Sequence, residues 1–248
     1  MKYFLSIILA LFLFNCKQEK VEQTSVQTII DASIEVSGGD LVSSSTIDFG
    51  FRDRHYKAIR NSGKFQLERK FEDSMGIVKD VLTNDRFTRY INNNVFVVSD
   101  GKEQAYSASV NSVHYFSVLP FGLNDAAVQT TLLETISVKN KKYHTIKVTF
   151  DQNGGGEDFE DVFVYWVNKD TNKVDYLAYS YNESDGKGIR FREAYNERYV
   201  EGIRFVDYNN YKPEDTSVSL TDLPQLFESG TLKLLSKIEL ENLVVTLN

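Results

Sequence analysis

Hydrophobic and polar residues alternate with a period of two along most of this chain, and at a few places the period lengthens to that of a helix. Val26, Ile29, Ile30, Ser33 and Ile34 recur at i, i+3, i+4, i+7 and i+8. That spacing predicts an amphipathic helix capped by Ser25 and ended by Gly38 and Gly39. From there the period switches. In TIDFGFR, Ile47, Phe49 and Phe51 alternate with Thr46, Asp48, Gly50 and Arg52. In KFQLERKF, Phe65, Leu67 and Phe71 alternate with Lys64, Gln66, Glu68 and Lys70. Each pattern predicts an antiparallel strand with one wet face. The NSG at 61–63 is the turn between them.

Two strand-like runs, FTRYI and VFVVS, follow across an Asn-rich turn at 92–94. A helix is predicted through about 104–118, with Tyr106, Val110, Val113 and Ser117 on one side and Pro120 after its end. A second short helix is predicted next, capped by Asn124 or Asp125, with Val128, Thr131 and Leu132 inward. Strands are then expected at 133–138, 143–150, 161–168, 174–182, 187–195 and 202–211. GIRF occurs at 188–191 and again at 202–205, as two adjacent strands would show. A last short helix, capped by Thr221, carries Leu223, Leu226 and Phe227 on one side. LKLLSKIEL closes the chain as a strand. With about ten or eleven strands and no strand–helix alternation, the expected class is mainly β with α+β character. The economical packing is a curved antiparallel sheet, an open half-barrel enclosing a few helices.

The first residues carry an address. Lys2 precedes an uncharged apolar run over 3–14, too short to span a bilayer comfortably and suited to a secretory signal peptide. Cys16, the only cysteine, ends that stretch among the polar residues Asn15, Lys17, Gln18 and Glu19. Those neighbours argue against burial in a core. LFNC, residues 13–16, resembles a bacterial lipobox in its looser form, with Phe14 and Asn15 where small residues are usual. The expected organisation is a signal peptide at 1–15, a lipidated tether at 16–24 and one domain over 25–248. The expected partner is a membrane, held through lipid on Cys16, and Lys17 favours the outer membrane, facing the periplasm.

Composition narrows the function. A net charge of −7 with no basic stripe argues against nucleic acid as a partner. Seventeen Phe and 14 Tyr with only three Pro favour long strands. The densest polar cluster, DQNGGGEDFED at 151–161, offers Asp151, Glu157, Asp158, Glu160 and Asp161 around three glycines. A calcium site built from Asp151, Glu157, Asp158 and Asp161 is one reading. A solvated hairpin loop is the simpler one, because Gly155 stands where an EF-hand needs a ligand. His55, His114 and His144 show no metal-binding spacing, and no nucleophile elbow or phosphate loop occurs. Glu193 and Asp207 are expected to pair across strands with Arg190, Arg192 or Arg204. Neither a catalytic constellation nor a cofactor is implied.

YHTIKVTFDQNGGGEDFEDVFVYWVNKDTNKVDYLAYSY, followed by RFREAYNERYVEGIRFVDYNNYKP, resembles an uncharacterised family of Bacteroidota lipoproteins. The element order, together with SDG at 99–101 between a strand and a helix, resembles the outer-membrane lipoprotein-carrier (LolA/LolB-like) superfamily. That resemblance implies an open half-barrel whose apolar face can hold acyl chains. Phe49, Phe51, Phe65, Tyr115, Phe116 and Trp166 are the aromatic residues expected to line such a pocket; a closed core is their other fate. VFVYWV at 162–167 is apolar on both faces and so is expected to be covered on both sides. The reading is an envelope lipoprotein that binds an acyl chain or lipid. The alternative is a non-enzymatic structural or interaction protein with a filled core.

Overall fold

In the computed structural model, which describes residues 25–155, 159–183 and 186–248, the chain begins with helix α1 (Val26–Val36) and one turn, α2 (Gly39–Val42). The Ser25 hydroxyl accepts from the Thr28 amide at 3.1 Å, satisfying one of the donors left open at a helix start. Six strands follow in a meander: β1 (Ser45–Phe51), β2 (Arg54–Asn61), β3 (Lys64–Asp73), β4 (Gly76–Thr83), β5 (Phe87–Ile91) and β6 (Asn94–Phe96). Helix α3 (Asp100–Ser117) leads to a second sheet. Its strands are β7 (Val128–Leu132), β8 (Ile136–Val138), β9 (Lys141–Phe150), β10 (Val162–Asn168), β11 (Val174–Glu183), β12 (Gly186–Val200) and β13 (Ile203–Lys212). After a 3-10 turn (Leu220–Asp222) and helix α4 (Leu223–Glu228), β14 (Lys233–Ile238) completes it. The last strand, β15 (Glu241–Leu247), returns to pair with β1.

The first sheet therefore runs β15-β1-β2-β3-β4-β5-β6 and the second β14-β13-β12-β11-β10-β9-β7, with β8 also on β9; every pairing is antiparallel. The mainly β class and the curved antiparallel arrangement match expectation, divided into two hydrogen-bonded sheets. Only residues 239 and 240 separate β14 from β15, so the end strand of one sheet continues directly into the end strand of the other. Among the described residues no helix is long and apolar enough to cross a membrane.

The two sheets differ in cover, as their sequences do. In β1, Ile47 and Phe49 are buried while Thr46 and Asp48 are half-exposed, so one face meets water. In β10, residues 163–168 are all buried. Phe163, Tyr165 and Val167 pack with Ile29 and Ile30 of α1 and with Leu119 and Leu123. Val164 and Trp166 pack on the opposite side with Leu220 and Leu223. We call the side facing α1 and α3 inner and the side facing α4 outer. Alternation marks the sheet with one dry face; the unbroken apolar run marks the strand between two layers.

Several local expectations change. Residues 128–132 form a strand rather than a short helix, pairing Val128 with Phe150 and Leu132 with Ile146. Helix α3 starts at Asp100, after the N-cap Ser99, so the SDG stretch is the helix start itself. The 3-10 turn before α4 is capped by Ser219, whose hydroxyl accepts from the Thr221 amide. LKLLSKIEL forms strand β14 as expected, and a further strand, β15, follows it in the other sheet. The GIRF copies do lie on adjacent strands, β12 and β13. Gly38, at φ 74°, turns the end of α1 against the β12–β13 turn, where an added Cβ would meet the Gly202 carbonyl oxygen at 2.3 Å.

Candidate functional site

Helix α3 lies on the inner face of the first sheet, and an ionic cluster beneath it fixes its position. Asp80 on β4 is wholly buried and accepts from Arg69 Nε and Nη2 (3.0 and 2.6 Å) and from Arg89 Nε and Nη2 (2.6 and 2.9 Å). Arg69 Nη1 donates to the Ser109 hydroxyl of α3 at 2.7 Å, and the Arg89 guanidinium stacks over the Tyr106 ring at 3.6 Å. Four charge-assisted bonds on one carboxylate make removal of that carboxylate costly in so dry a place. His114, one turn further along, is buried against Phe49 and Tyr56, with Nε2 3.0 Å from the Glu68 carbonyl oxygen. Burial pushes its imidazole down from 6.5 to about 3, so at neutral pH it carries no charge.

The opposite face of α3 is built from small residues. Ser107, Ala108, Asn111 and Ser112 stand there at helical spacing and border a cavity of about 780 Å³. Small side chains on the helix cannot reach the sheets, and the space between stays unfilled. The far walls are aromatic. Phe51 and Phe65 reach it from the first sheet; Phe163 and Tyr179 come from the second; Tyr115 and Phe116 come from the end of α3. Phe163 stacks on Tyr179 with centroids 5.2 Å apart, and Phe116 meets both rings at 6.0 and 5.3 Å. The Tyr115 and Tyr165 hydroxyls share a hydrogen bond of 2.8 Å, and burial raises both phenols well above their usual range. They stay protonated, so this hydroxyl pair adds no charge to the wall.

Of the six aromatic residues singled out in the sequence, Phe51, Phe65, Tyr115 and Phe116 border this cavity. Phe49 packs in the core beside His114. Trp166 lies on the outer face of β10, against Phe191. Cys16 lies outside the described residues, as do Glu157 and Asp158 of the acidic loop. Asp151 accepts from Gln129 Nε2 at 2.9 Å, and Asp161 borders the cavity. Among the described residues no group of three His, Cys, Asp or Glu side chains could hold a metal ion.

The expected cross-strand ion pairs are rearranged. Glu193 accepts from Lys139 at 2.7 Å and from Asn209 at 3.1 Å on the outer face. Asp207 accepts from Arg198 at 3.0 Å. Arg204 pairs with Glu197, and Arg190 donates to the Ile189 carbonyl. Arg192 is on the inner face, bordering the cavity and 7% exposed. Its Nη2 donates to the Tyr179 hydroxyl at 2.7 Å, and its guanidinium carbon sits 3.8 Å from the Phe116 ring centroid. The signal for it was present in the sequence. In RFRE, Arg192 takes the alternate position to Phe191 and Glu193, and it stands in register between Leu177 and Asn210.

The family model described as "Family of unknown function (DUF6503)" matches residues 2–240. No curated protein matches the chain. Among solved structures, a LolA superfamily protein from Nitrosomonas europaea superposes with a TM-score of 0.50 and 9% identity, covering 90% of this chain and 92% of that one. A DUF1329 family protein from Desulfovibrio piger superposes with a TM-score of 0.51 and 15% identity, covering 84% and 99%. At these identities the likeness is one of fold.

Proposed function

The chain belongs to the DUF6503 family, and we propose that it acts as an envelope lipoprotein binding a hydrophobic ligand, an acyl chain or lipid, in the cavity between α3 and the two sheets. Residues 25–248 form the binding unit, 16–24 the tether, and lipid on Cys16 holds the protein in the cell envelope, at the outer membrane facing the periplasm. The observation that carries this reading is the cavity of about 780 Å³. It falls within the roughly 300–1,000 Å³ of small-molecule sites. Aromatic rings from both sheets and from the end of α3 border it, and Ser107, Ala108, Asn111 and Ser112 earlier on that helix leave the space open.

Two measurements test this. The full chain, produced in a lipid-containing host and released in a non-ionic detergent, is weighed by native mass spectrometry. A lipid bound near one-to-one is expected. A bare mass, persisting after incubation with palmitate and with phospholipid, overturns the binding reading in favour of an interaction protein. Separately, Cys16→Ser is expected to move the protein from the membrane fraction to the soluble fraction. Retention in the membrane would sink the anchor.

A further inference from the structure

We propose that the cavity ligand is an amphiphile with an acidic head group, carboxylate or phosphate, and that Arg192 is the residue receiving that group. This rests on the reading of the cavity as a lipid site and adds the polarity of what enters it.

Arg192 is more than nine-tenths buried and borders the cavity, yet its Nε and Nη1 have no hydrogen-bond partner. Of the five N–H donors of a guanidinium, those on Nη2 alone are engaged, toward Tyr179. Elsewhere on the inner faces, Arg69 and Arg89 are held by the buried Asp80; among the described residues the buried Arg60 and Arg192 have no such counter-ion, and of these two Arg192 is the one that borders the cavity. A charge taken out of water without a partner is costly and is ordinarily matched by an opposite charge. The stack on Phe116 occupies one face of the guanidinium plane. The in-plane donors, which suit carboxylate and phosphate oxygens, are left idle.

The neighbours continue the same polar strip. Asn210 stands directly across from Arg192 on β13, and Ser236 directly across from Asn210 on β14. All three border the cavity. Asn210 Nδ2 donates to the Ser236 hydroxyl at 3.2 Å, while its Oδ1 is buried and unpartnered. The aromatic wall of Phe163, Tyr179 and Phe116 adjoins this strip. A chain lying along the rings with its acid end at Arg192 would meet both. The carboxylates bordering the same cavity, Asp125 and Asp161, occupy loop positions, exposed and half-exposed respectively.

The test is displacement of an uncharged fluorescent probe, N-phenylnaphthylamine, from the full-length protein in non-ionic detergent at pH 8. The competitors are palmitate, lysophosphatidate, hexadecanol and monopalmitoylglycerol. Palmitate is expected to displace the probe at least about tenfold more effectively than hexadecanol, the scale of a charge-assisted bond. Arg192→Met is expected to abolish that preference while probe and hexadecanol affinities hold within about twofold to threefold of the wild type. Should that variant not accumulate, Asn210→Asp, which places a carboxylate opposite the guanidinium, is expected to do the same. The ratio of palmitate to lysophosphatidate identifies the source of the acid, and either acid winning over its neutral partner supports the proposal. Probe binding without preference for acids overturns the head-group assignment alone. Failure of the probe to bind the wild type overturns the cavity reading and this assignment with it.

Discussion

His114 and Asp80 sit within the same helix–sheet contact, and His114 makes that contact sensitive to pH. The imidazole of His114 is held near 3 against an ordinary value of 6.5, so the unfolded chain takes up a proton as pH falls below 6.5 and the folded chain does not until about 3. Stability from this group is therefore full above pH 6.5 and falls through the window from 6.5 to 3. The slope is about 1.4 kcal/mol per pH unit. Between pH 6.5 and 5 the wild type should lose roughly 2 kcal/mol more than His114→Gln, whose side chain stays neutral. Urea unfolding of both proteins at the two pH values checks this, and equal losses would remove the buried histidine as the cause. Asp80 anchors the contact through Arg69 and Arg89: the two arginines wrap its carboxylate from both sides.

Among the elements, α3 decides whether there is a cavity at all. Its sheet-facing side carries Val110 and His114, and its other side carries Ser107, Ala108, Asn111 and Ser112. Ala108→Phe places a ring in the open space, and the variant should bind an uncharged probe at least about tenfold more weakly. Its thermal midpoint should be unchanged or higher, since the ring fills a void. A midpoint several degrees lower, with binding kept, would mean that residue 108 is packed rather than facing space. The helix and its apolar side were legible in the sequence; the meaning of SASVNS was not, because small polar residues on a helix read as a solvated face. Period-two alternation located β1 and β3 because one face of that sheet is wet. Val128, Thr131 and Leu132 fit helical spacing by accident in a strand of five residues, and β-branched Val and Thr were the better guide. NLVVTL was not read as a strand, and its partner, β1, lies nearly the whole chain away. Four of the six aromatic residues named for the pocket border it. Arg192 was misassigned because charge complementarity along a strand says nothing about which face each charge takes.

At the scale of the molecule, the two sheets are joined where β14 passes into β15, and that junction is clasped by one buried carboxylate. Asp207 accepts from the Leu240 amide at 3.0 Å, from Arg198 Nη2 at 3.0 Å and from Asn196 Nδ2 at 2.6 Å. The bulge in β12 between Tyr195 and Arg198 brings the last two donors to it. Asp207→Ala strands these donors, and about 2–4 kcal/mol of stability should be lost. Urea unfolding measures it, and a change below about 1 kcal/mol would show that the junction holds without its clasp.

The return of β15 to β1 has a further consequence, in time rather than space. The strand that borders β1 is synthesised after every other strand described, while β1 is the first of them. Until β15 arrives, β1 presents an unpaired edge, the kind of surface that invites pairing with other chains. Synthesis and closure of the first sheet are thus coupled by topology: a chain stalled before β15 has an open edge, and only one that includes β15 can seal it.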